Sequence, residues 1–415
     1  MKNLQKHNWE KFEADVQLAI ENKNWLNAQK LLYKHFAHYI DKKEIYGYFV
    51  QVLLAQNQQQ AAKYFLEALE NFQHQSLFRI GCYFADQNLH FLAIPALQKA
   101  LQLAPNHPDS LYELARCLRL EGRPNEALQL LQQHPQKHNF WVQLEKGWNS
   151  LLLQDTSSLH HTLTWLDEHR WQAPPNQQTE VEFAYTRLAD AFQRYLCLPH
   201  PPSSEQDWHF VLYGAVGIDF LDILHQPNHF QIPTFGEYLY LTLQTLKSLF
   251  PPPQRVLALE EENSQLLAKI LSVLLRLPYQ IYHQNSTRKG SLVVAANAKQ
   301  FSSLWQTIYP NEVLLAGVLP LHQHGFICPD FSILCLQEEF FYPWQLPHFS
   351  HKSKLLKLLE KQNPNQLEKF LGISPHHLPS LPYPTSLLIG ANPSHYPLGR
   401  YPYWGENYQC RPKVL

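Results

Sequence analysis

From residue 28 to residue 131 apolar side chains recur at helical spacing, and a small residue returns at nearly constant pitch. Ala28, Ala61, Ala93 and Ala127 each open an apolar helix, 33, 32 and 34 residues apart. Four positions after each stands a larger apolar residue: Leu32, Phe65, Leu97 and Leu131. Ala68 and Ala100 add a second small residue seven positions after the first. The fullest copy runs from His74 to His107, with Leu77, Ile80, Gly81 and Phe84 before Ala93, Leu97 and Ala100, and ends at Pro105. The next repeats Leu111, Leu114, Ala115, Leu118, Ala127 and Leu131. Apolar positions three and four apart predict amphipathic helices, and their regular return predicts stacked helix pairs. The small residues let two antiparallel helices approach while the large ones fill the gap. Pro105, lacking an N–H and clashing with the preceding turn, ends the second helix.

This pattern resembles the tetratricopeptide repeat, a helix-turn-helix unit of about 34 residues, over residues 8–134. Gly47 departs from it, lying fourteen residues before Ala61 where Gly81 lies twelve before Ala93. A fifth pair, Phe140 to His169, keeps apolar spacing through Trp141, Leu144, Trp148, Leu151 and Leu152 without the small residues. It reads as a degenerate repeat or a cap. The resemblance implies a right-handed α-solenoid whose concave face, built by the first helices, holds a partner protein or peptide. By register the inward positions are Gln75, Phe78, Cys82 and Asp86, then Asp109, Tyr112, Arg116 and Arg119. Arg116 and Arg119 share a helix face; they are suited to a partner's carboxylate, or form a solvated surface with no ligand.

The pattern breaks at Gln172–Gln178, and one more helix is expected from Thr179 to about Leu196. The run Pro199 to Gln206, PHPPSSEQ, has a linker's composition. Three parts follow: repeats over 1–170, a helix and Pro-rich linker over 171–206, and an α/β domain over 207–415. Trp208 to Gly217 is a buried strand or an apolar helix. Helices are expected over Tyr238–Phe250, Asn263–Arg276, Phe301–Ile308, Lys352–Glu360 and Gln366–Leu371. Strands are expected over Arg255–Leu259, Gln280–Tyr282, Leu292–Ala295, Val313–Val318 and within Phe326–Leu336. Alternation of this kind predicts a parallel or mixed sheet covered by helices. The Tyr- and Pro-rich tail, Tyr396 to Tyr408, is expected to fold back on its own domain.

Candidate chemistry in this half is sparse. Glu260, Glu261 and Glu262 follow a strand, at the edge where α/β sheets bind ligands. They equally suit a helix N-terminus, where the dipole favours carboxylates, with Asn263 or Ser264 as cap. Asp219 and Asp222 are three apart, as on one helix face, and suit Mg²⁺ or a solvated face with salt bridges; Arg288, with Lys289 and Gly290 beside Ser286 and Thr287, suits a phosphate contact or a solvated turn. His322, His324 and Cys328 are zinc-ligand types without a fourth partner, so no metal is expected. The order RVLAL, helix, PYQIY resembles the opening of Rossmann-like and phosphoribosyltransferase folds in topology alone. No acidic pair followed by a Thr/Gly-rich phosphate loop accompanies it.

Composition narrows the function further. Only 14 residues are Gly and 30 are Pro, against averages near 7% and 5%, and no phosphate-cradling glycine motif occurs; no cofactor is expected. Lys+Arg 34 against Asp+Glu 35 leaves a net charge of −1, which argues against a bulk grip on nucleic acid. The six cysteines form no C-x-x-C pair, no apolar run is long enough to span a membrane, and the opening residues lack a signal-peptide core; a cytoplasmic location is expected. The sequence thus predicts a non-enzymatic interaction or assembly protein. The alternative is an enzyme acting on a nucleotide or sugar-nucleotide, its Rossmann-like domain holding Glu260–Glu262 with Arg288 or Asp219 in one pocket.

Overall fold

The computed structural model describes residues 2–135, 138–220, 232–249, 251–284, 286–302, 305, 307–320, 326–336, 342–345, 352–373 and 402–403. The chain forms two compact units, one extending through Leu166 and the other beginning at Asp167.

The first unit is a run of helix pairs: α1 (Lys2–Glu21) with α2 (Trp25–Tyr39), α3 (Lys43–Ala55) with α4 (Gln59–Glu70), and α5 (His74–Asp86) with α6 (His90–Leu103). Then come α7 (Pro108–Leu120) with α8 (Pro124–Gln133), and α9 (Phe140–Leu152) with α10 (Thr156–His169). Each pair reverses through one residue of positive φ: Lys23, Asn57, Asn88, Gly122 and Gln154. Gly and Asn tolerate that left-handed conformation best. The turn stands five residues before Ala28, Ala93, Ala127 and Leu159, and four before Ala61. The fifth pair therefore keeps the repeat register, with buried Leu159 in the place of the alanine.

Twelve residues before each of these positions lie Val16, Phe49, Gly81, Ala115 and Gly147, all buried. Gly81 marks the closest approach: a Cβ there would lie 2.5 Å from Leu97 Cγ. The second pair solves the same problem with volume. Phe49 takes the Gly81 place and stacks on Phe65, ring centroids 4.5 Å apart. Gly47 is not the approach position, since a Cβ on it would meet Leu69 at an ordinary 3.7 Å. Phe84 joins three pairs, its ring within 6.0 Å of Tyr33 and Phe36 on α2, Phe49 on α3 and Phe65 on α4.

The second unit opens with α11 (Gln178–Cys197) and α12 (Glu205–Tyr213). The expected linker stops short of Gln206 because Ser204 caps α12, accepting from the Asp207 N–H while the Asp207 side chain answers to the Ser204 backbone. This reciprocal capping starts a helix inside a run that composition alone assigns to a loop. Gly214, φ 57, ends it, so Trp208 to Gly217 holds a helix and then the start of β1 (Val216–Phe220).

The remaining elements are α13 (Ile232–Lys247), β2 (Arg255–Ala258), α14 (Glu262–Leu275), β3 (Tyr279–Ile281), β4 (Ser291–Asn297), β5 (Val313–Pro320), β6 (Phe326–Ile327), β7 (Phe331–Leu336), α15 (Lys352–Glu360), α16 (Pro364–Leu371) and β8 (Pro402–Tyr403). Six strands form one sheet in the order β1-β7-β5-β4-β2-β3, every neighbouring pair parallel. From β2 onward the chain moves outward to β3 and then returns to β4, β5 and β7, a doubly wound order whose reversal lies between β2 and β4. β4 and β5 are buried almost throughout, as in a parallel sheet covered on both faces. β6 and β8 form a separate antiparallel pair.

The described residues of Phe301–Ile308 form no α-helix. Asn297 caps a single tight turn, Ala298–Gln300, and the Phe301 backbone is engaged on both sides. Its N–H donates to Ala298 and its carbonyl accepts from Ile327. That commitment to β6 diverts the chain from a helical course.

Candidate functional site

The residues assigned by register lie on the first helices α5 and α7, which precede the first helix α9 of the next pair. Gln75, Asp86 and Asp109 are exposed, while Phe78, Cys82, Tyr112, Arg116 and Arg119 are partly buried. His74 on α5 hydrogen-bonds Ser110 on α7 across 2.8 Å, and its ring lies 4.2 Å from that of His107, against which Phe78 also packs. Tyr112 on α7 meets Trp141 on α9 edge-on at 6.1 Å.

The two arginines are not free. Arg116 Nε donates to Glu113 at 2.9 Å, one turn earlier. Arg119 Nε donates to Glu145 on α9 at 2.6 Å, and its guanidinium lies 5.8 Å from the Trp148 ring. The Glu145 side chain is 2% exposed and also accepts from Asn149 Nδ2 at 3.1 Å. Burial pushes the Glu113 carboxyl up, partly offset by Arg116. Burial, reinforced by Glu113 and Asp86, pushes the Cys82 thiol to about 12, so that thiol is protonated at neutral pH and a poor nucleophile. The expected role for Arg116 and Arg119, capture of a carboxylate, meets an arrangement in which both already hold one.

Glu113, Trp141 and Glu145 belong to this face and are absent from the set assigned by register. Glu145 was legible: it falls on the Trp141–Trp148 stripe of α9, and a carboxylate on an apolar stripe needs a buried cation.

The sheet of the second unit disperses the other candidates. Glu261 caps α14, accepting from the backbone N–H groups of Asn263 and Ser264, each at 2.8 Å. The cap is therefore Glu261 rather than Asn263 or Ser264. Glu260 and Glu262 are exposed, beside His283 and Lys352 respectively. Arg288 precedes β4 and so lies at the opposite end of the parallel strands from Glu260–Glu262. It is buried rather than a solvated turn: it pairs with fully buried Glu312 at 3.1 Å and lies between the rings of Trp305 and Tyr309, 4.3 and 4.6 Å away. Asp219 is on strand β1, paired to Leu334, not on a helix face; Asp222 lies outside the described residues, as do His322 and His324. Cys328 is buried. Among the described residues no group of three or more His, Cys, Asp or Glu is placed to hold a metal.

Beside the reversal between β2 and β4, where a doubly wound sheet takes ligands, Tyr342 and Trp344 pack against β4, β5 and the start of α14. The Tyr342 hydroxyl donates to the Ala296 carbonyl at 2.6 Å and occupies the space that a Cβ on Gly317 would need. Trp344 stacks on Tyr342 at 4.7 Å and donates from Nε1 to Asn263. Ser264 Oγ accepts from the Ala296 N–H and donates to Gln300.

Glu261 gives this edge a pH dependence. Burial disfavours its charged form, but the hydrogen bonds from Asn263 and Ser264 outweigh it and hold the carboxyl below the usual glutamate range. A depressed folded-state value contributes stability above the unfolded value, near 4.3, that is lost as pH falls through the folded one. Glu261→Gln is expected to cost about 1 kcal/mol at neutral pH, as for loss of a helix cap. The gap between wild type and variant should narrow in urea titrations as the pH is lowered below about 4; a constant gap would assign the cap no charge dependence.

Among the described residues no helix is long and apolar enough to cross a membrane. No curated protein matches the chain. Residues 92–143, from the start of α6 into α9, match the tetratricopeptide repeat family. The match covers α6 to the start of α9, and the N-terminal region around it is a run of consecutive helices consistent with repeats of this type.

Proposed function

We propose that this protein is a non-enzymatic interaction or assembly protein whose first-helix face on α5, α7 and α9 holds a segment of a partner protein. The observation that carries this reading is the repeat match over residues 92–143 together with the aromatic side chains left partly open on that face. Phe78, Tyr112 and Trp141 are half-buried, and rigid aromatic anchors of this kind dominate interface energies. The α/β half supports the same reading. Its acidic and basic candidates are spread over both ends of the sheet, and Tyr342 and Trp344 pack beside the strand ends where a nucleotide would sit. A second unit then serves as a further surface or as a support for the repeats. The name for such a role is scaffold, and the partner is another polypeptide.

The test is affinity capture with the full chain, wild type against Phe78→Ala/Tyr112→Ala. Both side chains are only partly buried, so the variant is expected to fold while losing the partners that the wild type retains. Equal recovery by both would move the binding surface away from this face.

A further inference from the structure

The face on α5, α7 and α9 carries a charge balance opposite to the one its two arginines suggest. Its acidic side chains are Asp86, Asp109, Glu113 and Glu145 against the basic Arg116 and Arg119, four against two by formal charge. Both arginines are spent on internal pairs, Arg116 with Glu113 and Arg119 with Glu145. Asp86 and Asp109 are exposed and have no ion pair among the described residues. An incoming carboxylate would share a guanidinium whose charge is already balanced, Arg119 by Glu145 and Arg116 by Glu113, and gains little from it. An incoming cation displaces nothing. A segment with several cations laid along the face meets Asp109 at the start of α7 and Asp86 at the end of α5, and with them the partly open rings of Phe78, Tyr112 and Trp141, whose faces attract ammonium and guanidinium groups.

We propose that this face takes a cationic segment: an extended peptide bearing Lys or Arg, its charges on Asp86 and Asp109 and its stems over Phe78 and Tyr112. The proposal rests on the reading of the same face as the partner site and adds the chemistry of the partner. The carboxylates around Cys82 contribute to the upward displacement of its thiol, in keeping with a negative local potential. Lys and Arg stems lie readily on apolar and aromatic surface while their heads reach a carboxylate, so one residue type satisfies both features of the face.

The experiment is fluorescence anisotropy on the full chain with a labelled peptide of alternating Lys and Ser carrying one Tyr, and with the same peptide bearing Glu for every Lys. The Lys peptide is expected to bind, to weaken as salt rises, and to weaken roughly tenfold on Asp86→Asn/Asp109→Asn, the scale of a lost charge-assisted contact. Both positions are exposed, and circular dichroism of the variant should overlay that of the wild type. Preferential binding of the Glu peptide, or charge-blind binding abolished by Phe78→Ala/Tyr112→Ala, overturns the cationic assignment and leaves the face as the partner site. Binding indifferent to both double variants overturns both readings. Failure of the Lys peptide to bind overturns the cationic assignment, while the capture experiment decides the partner site separately.

Discussion

Replacing Phe84 by Ala is expected to lower the stability of the repeat unit by about 3–5 kcal/mol, the range for deleting a buried aromatic ring. Phe84 is fully buried and contacts Tyr33 and Phe36 on α2, Phe49 on α3 and Phe65 on α4. Three helix pairs therefore lose packing together. In an ordinary repeat stack each unit touches its neighbours only, and a core deletion would be felt locally. Here α2 reaches α5, two pairs along, so loosening should spread to both of the first two pairs. Hydrogen exchange is the informative measurement: amides of α2, α3 and α4 should all lose protection in Phe84→Ala, whereas those of α9 should keep theirs. Loss confined to α5 and α6 would show that the aromatic cluster does not couple the pairs.

The reach of α2 to α5 also marks where sequence reading stops. The repeat register was visible because alanines at a fixed pitch record close helix approach directly. The second pair hid its register because Phe49 and Phe65 stack where the third pair has Gly81 against Leu97; the two solutions fill similar space with different residues. Gly47, two residues off that register, makes no close approach of its own. In the α/β half, β4 and β5 are legible from their apolar runs, since both faces are buried. The connection over Phe301–Ile308 was not. Its apolar residues suit a helix, but the partner of the Phe301 backbone is Ile327, twenty-six positions away, and long-range pairing leaves no local periodicity. The same holds for Arg288. Read locally it is a polar turn; its partners Glu312, Trp305 and Tyr309 come from the next connection. Charge at the candidate face was misleading for a related reason. Arg116 and Arg119 announce themselves in the sequence, whereas Glu145, which neutralises one of them, stands on a different helix.

The pairing of Arg119 with Glu145 leads to the second large effect. Arg119→Ala is expected to destabilise the repeat unit by about 3 kcal/mol, because removing one partner of a buried pair leaves the other charged and unpaired. Asn149 still donates to Glu145, which places the effect at the low end of the range for broken buried pairs. The loss has two parts that a second variant separates. If stability comes from the ion pair itself, replacing both partners should cost as much as replacing one. If the cost lies in stranding Glu145, then Arg119→Met/Glu145→Leu should recover most of it, since apolar side chains of similar volume often replace a buried pair at little net change. Recovery is the expected result, read as urea midpoints by far-ultraviolet circular dichroism. The pair would then be there to set the register of α9 against α7 rather than to add stability. That distinction bears on the partner site. A register device holds Tyr112 against Trp141, so the double variant should remain about as stable as the wild type yet bind the Lys peptide less well as the two rings separate. Unchanged binding in a stable double variant would show that the aromatic pair holds its place without the buried charges.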